Sequence, residues 1–514
     1  MKKIIQLTIT LFYLLTPLSI SAQGDNLYFC DAKELASVPI QQDGRVKPLY
    51  VHANEMIKYM TGKSKIDGHD AVTAYCLLSL EAMKLPNKLN TLARVDHVDA
   101  QKFLELPSGV KTISFKDLDA EVTDLRREVQ KFKVQTGREK ALSKLINQAM
   151  LYKQIVQGQN WLFPAITKNR VDWIPVGSFI TEDKIVAAKK LNDRPFIYII
   201  TKETTEYAKR YGSKHIVEYN FAKAKLPSIA LITTLLALAL LTLFKKFNLS
   251  LIFTGITLIL QLIIIAIRIY ISGRAPITNM YETVMFSGFG ALFLSMVVGH
   301  LKKEKIFIYM GLMYNACTLM MMNFATGMLS ESIAPLVPVL RDNFWLSTHV
   351  TLIIMSYGAL ALSWVLANTV IFKKMFSKLN KKDEIYYGDL IYTCLKYGTI
   401  MLGGGVILGG VWADYSWGRF WGWDPKETWS LIAFIIYMAI LHGRYTSWIT
   451  PQRFTKLVAG AFMSIMMAWF GVNFILASGL HSYGFSQGGA LFLGCFFAAQ
   501  ITILIISTIM DRKA

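Results

Sequence analysis

Cysteine is scarce in this chain of 514 residues. There are five, Cys30, Cys76, Cys317, Cys394 and Cys495, and no two form a CxxC pair. A CxxCH anchor for a covalently held porphyrin is therefore absent. Histidine is also rare, with eight in all. No glycine-rich turn follows a strand and opens a helix as a dinucleotide site requires. Gly403, Gly404, Gly405, Gly409 and Gly410 instead lie within an apolar run, where small residues let helices approach closely. Residues 23–226 lack any apolar run of the ~20 residues needed to cross a bilayer. They also lack a dense basic stripe with interleaved aromatics, which argues against nucleic acid as a partner despite a net charge of +20.

Hydrophobic residues make up 53% of the chain, too many for a wholly soluble protein. Lys2 and Lys3, an apolar run to Leu18 and the small residues Ser19, Ser21 and Ala22 have the layout of a signal peptide at 1–22. Residues 23–226 then read as a soluble domain outside the cytoplasm. Within it, Asp117 to about Ile155 has the periodicity of one long amphipathic helix, and Phe196 to Thr201 reads as a strand. Cys30 and Cys76 are available for a disulfide, although sequence does not pair them; the other three cysteines read as small buried thiols in apolar segments. His52, His69, His97 and His215 have no spacing that suggests a site.

From 227 onward nine apolar runs follow, near 228–244, 249–267, 283–300, 306–323, 350–372, 397–412, 428–445, 457–476 and 490–510. The fold class expected is a polytopic α-helical membrane protein with an N-terminal extracytoplasmic soluble domain. Alternate loops carry clusters such as Lys302, Lys303 and Lys305, or Lys373 and Lys374, while the others carry mostly single cations. The positive-inside rule then puts the N-terminal domain and the 412–429 segment outside.

That segment contains Trp417, Trp421, Trp423 and Trp429 around a Gly-Trp-Asp-Pro core. Indoles there suit a large planar apolar ligand, and His349 and His481, on the same side, supply nitrogen for a metal at its centre. The ligand this suggests is haem, held by two imidazoles from different helices. Asp424 and Glu427 are placed to orient neighbours or accept hydrogen bonds. The alternatives are plain: tryptophans also anchor membrane interfaces, and a histidine at a membrane edge can be merely solvated. His442 falls ~20 Å inward from Trp429 at ~1.5 Å per residue, where an ionisable side chain is costly and function is the default reading; the adjoining Arg444 marks the end of the span and leaves a snorkelling or capping role open. Arg274, in the turn 272–282, either grips a carboxylate such as a haem propionate or forms a structural Arg–Glu pair.

The WGRFWGWDPKETW core at 417–429 resembles the tryptophan-rich "WWD" signature of haem-handling membrane proteins, and its surroundings resemble the CcsA branch, the cytochrome c synthases of System II. SGRAPITNMYE at 272–282, FWLSTHV at 344–350, the His442-Gly-Arg segment and GVNFILASGLHSYG at 471–484 carry the same likeness. Residues 39–48 resemble a segment of CcsA-like chains with an outer N-terminal domain.

The resemblance implies that His349 and His481 ligate the iron of an outer haem b, with Trp417, Trp421, Trp423, Asp424, Glu427, Trp429 and Arg274 around it. His442 would ligate a second, intramembrane haem whose other ligand comes from a ResB/CcsB-type subunit. The implied activity is holocytochrome c synthesis on a CxxCH apocytochrome, supported by thiol reductant proteins, in the inner membrane of a bacterium with the N-terminal domain in the periplasm. Rival readings are a haem exporter or relay that makes no thioether, a b-type electron carrier, and a transporter with no cofactor.

Overall fold

The computed structural model describes residues 30–42, 44–81, 89–132, 137–167, 170–192, 194–336, 342–376, 379–476 and 489–513. The expected leader at 1–22 and the expected ligand His481 lie outside them. The chain divides into two compact units, Met1–Ala222 and Lys223–Ala514.

In the first unit, strands β1 (Pro39–Gln42) and β2 (Arg45–Pro48) pair antiparallel in the register Pro39↔Pro48, and Gly44 takes φ +78° at their turn. Two short antiparallel ribbons follow: β3 (Lys65–Ile66) with β4 (His69–Asp70), and β5 (Leu92–Arg94) with β6 (Thr112–Ser114). The strands β7 (Leu162–Ile166) and β8 (Val171–Pro175) complete a sheet of order β2-β1-β7-β8. Helices Leu49–Thr61, Ala71–Ser79, Phe115–Gln130 and Gly137–Val156 share one core with it, containing Leu35, Ile57, Tyr75, Leu118, Leu142, Trp161 and Phe163. Cys30 and Cys76 are joined in a disulfide, both fully buried.

Two local expectations are corrected here. The single long helix expected over 117–155 is two helices, Phe115–Gln130 and Gly137–Val156. One straight helix of that span would run to ~58 Å and could not bring Leu118 and Leu125 into the same core as Leu142 and Leu145, where they are found. The expected strand 196–201 lies in the helix Pro195–Tyr211. Pro195 fits the first helical turn, where its missing N–H costs nothing, and Phe196, Ile197, Ile200 and Tyr207 are buried along that helix.

A polar group sits inside this core. His52 is fully buried, with Nδ1 2.9 Å from Gln42 Oε1 and Nε2 2.9 Å from Asn160 Oδ1 and 3.0 Å from the Tyr75 hydroxyl. Tyr75 also donates to Asn160 Oδ1 at 2.8 Å. Burial, aided by the charge of Lys47, lowers the His52 pKa to about 3, so the imidazole is neutral.

The second unit is helical: α1 (Leu226–Thr242), α2 (Phe247–Ser272), α3 (Met280–Lys302), α4 (Ile306–Phe324), α5 (Thr351–Phe376), α6 (Lys381–Trp417), α7 (Pro425–Tyr445), α8 (Pro451–Met466) and α9 (Gly489–Lys513). Among the described residues, eight helical segments are long and apolar enough to cross a membrane, against the nine expected. The segment outside that set is α7. Its uninterrupted apolar run, 431–441, covers ~16 Å, against a hydrocarbon layer of ~30 Å, and Lys426, Glu427, His442 and Arg444 lie toward its ends.

Amide side chains tie the helices together. Asn315 of α4 donates to Gln261 of α2 and accepts from Thr234 of α1, and Gln500 of α9 bonds Trp364 and Asn368 of α5. In an apolar surrounding such bonds satisfy groups that lipid would not. Cys394 is buried as expected, whereas Cys317 and Cys495 are exposed; a thiol behaves as a small hydrophobe and tolerates an outward face of an apolar helix.

Candidate functional site

The 272–282 turn is built around a buried carboxylate. Glu282 accepts from Arg268 Nη2 at 2.9 Å, Arg274 Nη1 at 3.2 Å and the Thr278 backbone N–H at 2.9 Å. Arg274 also donates to the Thr278 hydroxyl and to the Ala334 carbonyl. The structural Arg–Glu pair is thus present, with both guanidiniums buried. Arg268 is a buried residue of α2. The turn it anchors delivers Ile277, Thr278, Asn279, Met280 and Thr283 to a cavity.

His349 lies deeper in its helix than expected. Asp342 caps a helical segment running Asn343–Phe376, and His349 falls in its π-helical stretch Leu346–Val350. Such stretches re-aim side chains and are frequent at functional sites. His349 Nδ1 lies 2.8 Å from the Gly405 carbonyl oxygen. A carbonyl only accepts, so Nδ1 carries the proton and Nε2 the lone pair. The α6 glycines make this seat: a Cβ on Gly409 would stand 2.6 Å from His349 Cε1, and one on Gly405 2.5 Å from Ile353 Cδ1.

The tryptophan segment is ordered by its own carboxylates. α6 runs on to Trp417, where Gly418 closes it with φ +67°, so the loop expected at 412–429 is reduced to 418–424. Asp424 caps α7 by accepting from the N–H groups of Lys426 and Glu427, while Glu427 reaches back to the N–H groups of Asp424 and Gly422. This is a capping box, readable in Asp-Pro-Lys-Glu although the sequence reading did not use it. Between them Trp423 takes φ +56°, a costly conformation for a bulky residue that the two carboxylates hold in place.

The cavity, partly open to solvent, is lined by His349, Trp412, Lys426, Trp469 and Asn473 among others. Trp412 meets His349 edge-on with ring centroids 5.8 Å apart, and its Nε1–H is buried with no acceptor among the described residues. Trp469 donates to Thr283 at 3.1 Å. Trp469 and Asn473 come from a second π-helical stretch, Met467–Leu476, which continues α8.

Of the residues singled out from sequence, the structure thus puts His349 at this cavity. Trp417, Trp421, Trp423, Trp429, Asp424, Glu427 and Arg274 are not among its described lining residues. Trp417 lies near the Arg419 guanidinium, and Trp421 meets Trp423 edge-on. His442 is exposed on α7, with Nδ1 2.9 Å from the Met438 carbonyl, and it too lies outside the lining. Trp412, Trp469, Asn473 and Lys426 were missed. Asn473 and Lys426 stand inside quoted motifs, but Trp469 has no local signal at all.

The family model for cytochrome C assembly proteins matches residues 277–481. The cytochrome c biogenesis protein CcsA of Guillardia theta is 32% identical over 296 residues, covering 52% of this chain and 96% of its own length. CcsA of Chlamydomonas reinhardtii is 32% identical over 248 residues, 47% of this chain and 70% of its own. Protein NrfI of Wolinella succinogenes is 36% identical over 238 residues, 44% of this chain but 25% of its own. This chain, a multi-pass membrane protein, belongs to the CcsA family of cytochrome c biogenesis proteins.

Proposed function

We propose that the protein acts in cytochrome c maturation as a holocytochrome c synthase, binding haem b as substrate and presenting it for thioether attachment to a CxxCH apocytochrome. The observation that carries the reading is His349, its Nδ1–H fixed on the Gly405 carbonyl, in the wall of a largely apolar cavity. Metal-ligating histidines generally donate their other nitrogen in this way, which sets the tautomer and the ring plane. The Trp412 N–H, with no acceptor among the described residues, offers a donor to whatever enters.

Bound haem supplies two vinyl groups as electrophiles. In each addition a cysteine S–H crosses the vinyl double bond, forming one C–S and one C–H bond with no leaving group. The contribution of this chain is positioning: His349 holds the iron, with His481 as the second ligand, Trp412 and Trp469 fix the ring plane, and the segment with Trp417, Trp421, Trp423 and Trp429 shields the outer face. Asp424 and Glu427 act by holding that segment in shape. His442 serves an intramembrane haem position, and its exposed setting suits completion by a ResB/CcsB-type subunit. Thiol reductant proteins keep the cysteines reduced. The site faces the periplasm of a bacterial inner membrane, as does the N-terminal unit.

Co-expression with the ResB/CcsB-type subunit and a CxxCH reporter, in cells lacking other maturation systems, tests this. The expected result is a covalently haem-stained reporter, lost in His349→Ala and His481→Ala and partly restored by imidazole. A haem-loaded protein with an unstained reporter would instead indicate a relay, and a colourless protein would remove haem from the reading.

A further inference from the structure

We propose that Lys426 is the residue that holds a propionate carboxylate of the substrate in the His349 cavity, the role that sequence reading offered to Arg274. The inference rests on the haem reading above and adds to it the group that recognises the substrate's charged edge.

Arg274 is already committed. Its side chain is buried against Glu282, Thr278 and the Ala334 carbonyl, and withdrawing it would leave a buried carboxylate short of a partner, which is strongly unfavourable. The cavity therefore needs another cation if it is to accept a dicarboxylate. Among the described residues that line it, Lys426 is the only lysine or arginine, and none is an aspartate or glutamate. A carboxylate entering there meets one cation in the wall, the carboxylate of Asp424 that also acts on this cation being outside the lining.

The position of Lys426 argues in the same direction. It is the second residue of α7, directly after the Asp424 cap and Pro425. A cation in the first turn of a helix opposes the helix dipole, so Lys426 is not there to stabilise α7. Its backbone N–H serves the cap; its ammonium feels the Asp424 carboxylate but is in no ion pair within 4 Å among the described residues. Trp412 gives a second, independent sign: its buried Nε1–H, without an acceptor among the described residues, belongs to a residue of the same wall. An ammonium and an indole N–H together form a donor pair suited to one carboxylate.

The test compares ferric haem with its dimethyl ester, which keeps the ring, vinyls and iron but carries no carboxylate. Each is titrated into the full chain, purified in detergent and stripped of porphyrin, and followed by absorbance. The wild type should bind the free acid about tenfold or more tighter than the ester, the order expected of one charge-assisted hydrogen bond. Lys426→Gln should abolish that preference while leaving ester affinity unchanged, and Lys426→Arg should retain part of it. Preference for the acid that survives in Lys426→Gln overturns the assignment, and so does equal binding of both porphyrins by the wild type. Loss of both porphyrins in Lys426→Gln would make the residue structural and also overturns it. Wild-type protein that binds neither porphyrin would instead remove the haem reading itself.

Discussion

His52 and His349 are both held by hydrogen bonds, yet their surroundings differ in kind. In the first unit, His52 meets Gln42, Tyr75 and Asn160 through both ring nitrogens and no part of it is exposed. In the second, His349 gives one nitrogen to a backbone carbonyl and stands in a cavity wall with a lysine and an orphaned indole N–H. A polar network closed on itself is a structural device. One that ends in a cavity with unmatched donors is poised for a ligand, because the desolvation cost of those donors is recovered only when something binds. The turn at Arg274 belongs to the first kind although it borders the second: its charges are matched, and it shapes the site without entering it.

The largest effect that would sharpen this contrast is at Glu282. Glu282→Ala leaves two guanidiniums buried around a missing carboxylate, and should destabilise the detergent-solubilised protein by ~3–5 kcal/mol in thermal unfolding. An unchanged transition would mean that the turn is not held by its charges. In the first unit, Cys30→Ser opens a link with a sequence separation of 46, for which the chain-entropy relation gives a loss of ~4 kcal/mol. Hydrogen exchange of core amides around Tyr75 should accelerate accordingly, and unchanged protection would count against it.

His52 predicts a pH dependence. Its folded pKa of about 3 lies below the unfolded value of ~6.5, so between these values the unfolded chain binds the extra proton. Stability is whole above pH ~6.5 and falls by up to ~1.4 kcal/mol per pH unit as the pH drops through that window. His52→Gln should flatten this slope, measured by exchange of first-unit amides; an equally steep slope in the variant would place the acid sensitivity elsewhere.

The smallest effect on stability is expected at Gly409. Gly409→Ala improves helix propensity by ~1 kcal/mol but sets a methyl against the His349 ring, moving the imidazole off the Gly405 carbonyl. The protein should remain folded while the absorption spectrum of haem added to it, on the proposed reading, changes. An unaltered spectrum would show that the glycine seat does not fix the ligand.

Much of this was open to inspection in the chain itself. Runs of apolar residues marked the helices, because lipid-facing backbone must satisfy its own hydrogen bonds and only long apolar helices do so within one segment. The Asp424-Pro-Lys-Glu427 cap was equally local. The 117–155 and 196–201 misreadings share a cause: periodicity reports one face of an element but not where the chain must fold back to bury it. Lys426 and Arg274 illustrate the same limit, since both are cations near a turn and only their neighbours in space distinguish a committed charge from an available one.

The sequence by itself determined that this is a membrane protein with a tryptophan-rich half, because hydrophobicity and local capping are properties of neighbouring residues. The tertiary structure decided which of those residues meet. Two π-helical stretches more than a hundred residues apart, a glycine-lined helix and the start of α7 contribute His349, Trp469, Trp412 and Lys426 to one cavity, and contact across such distances depends on helix packing, which no local pattern encodes.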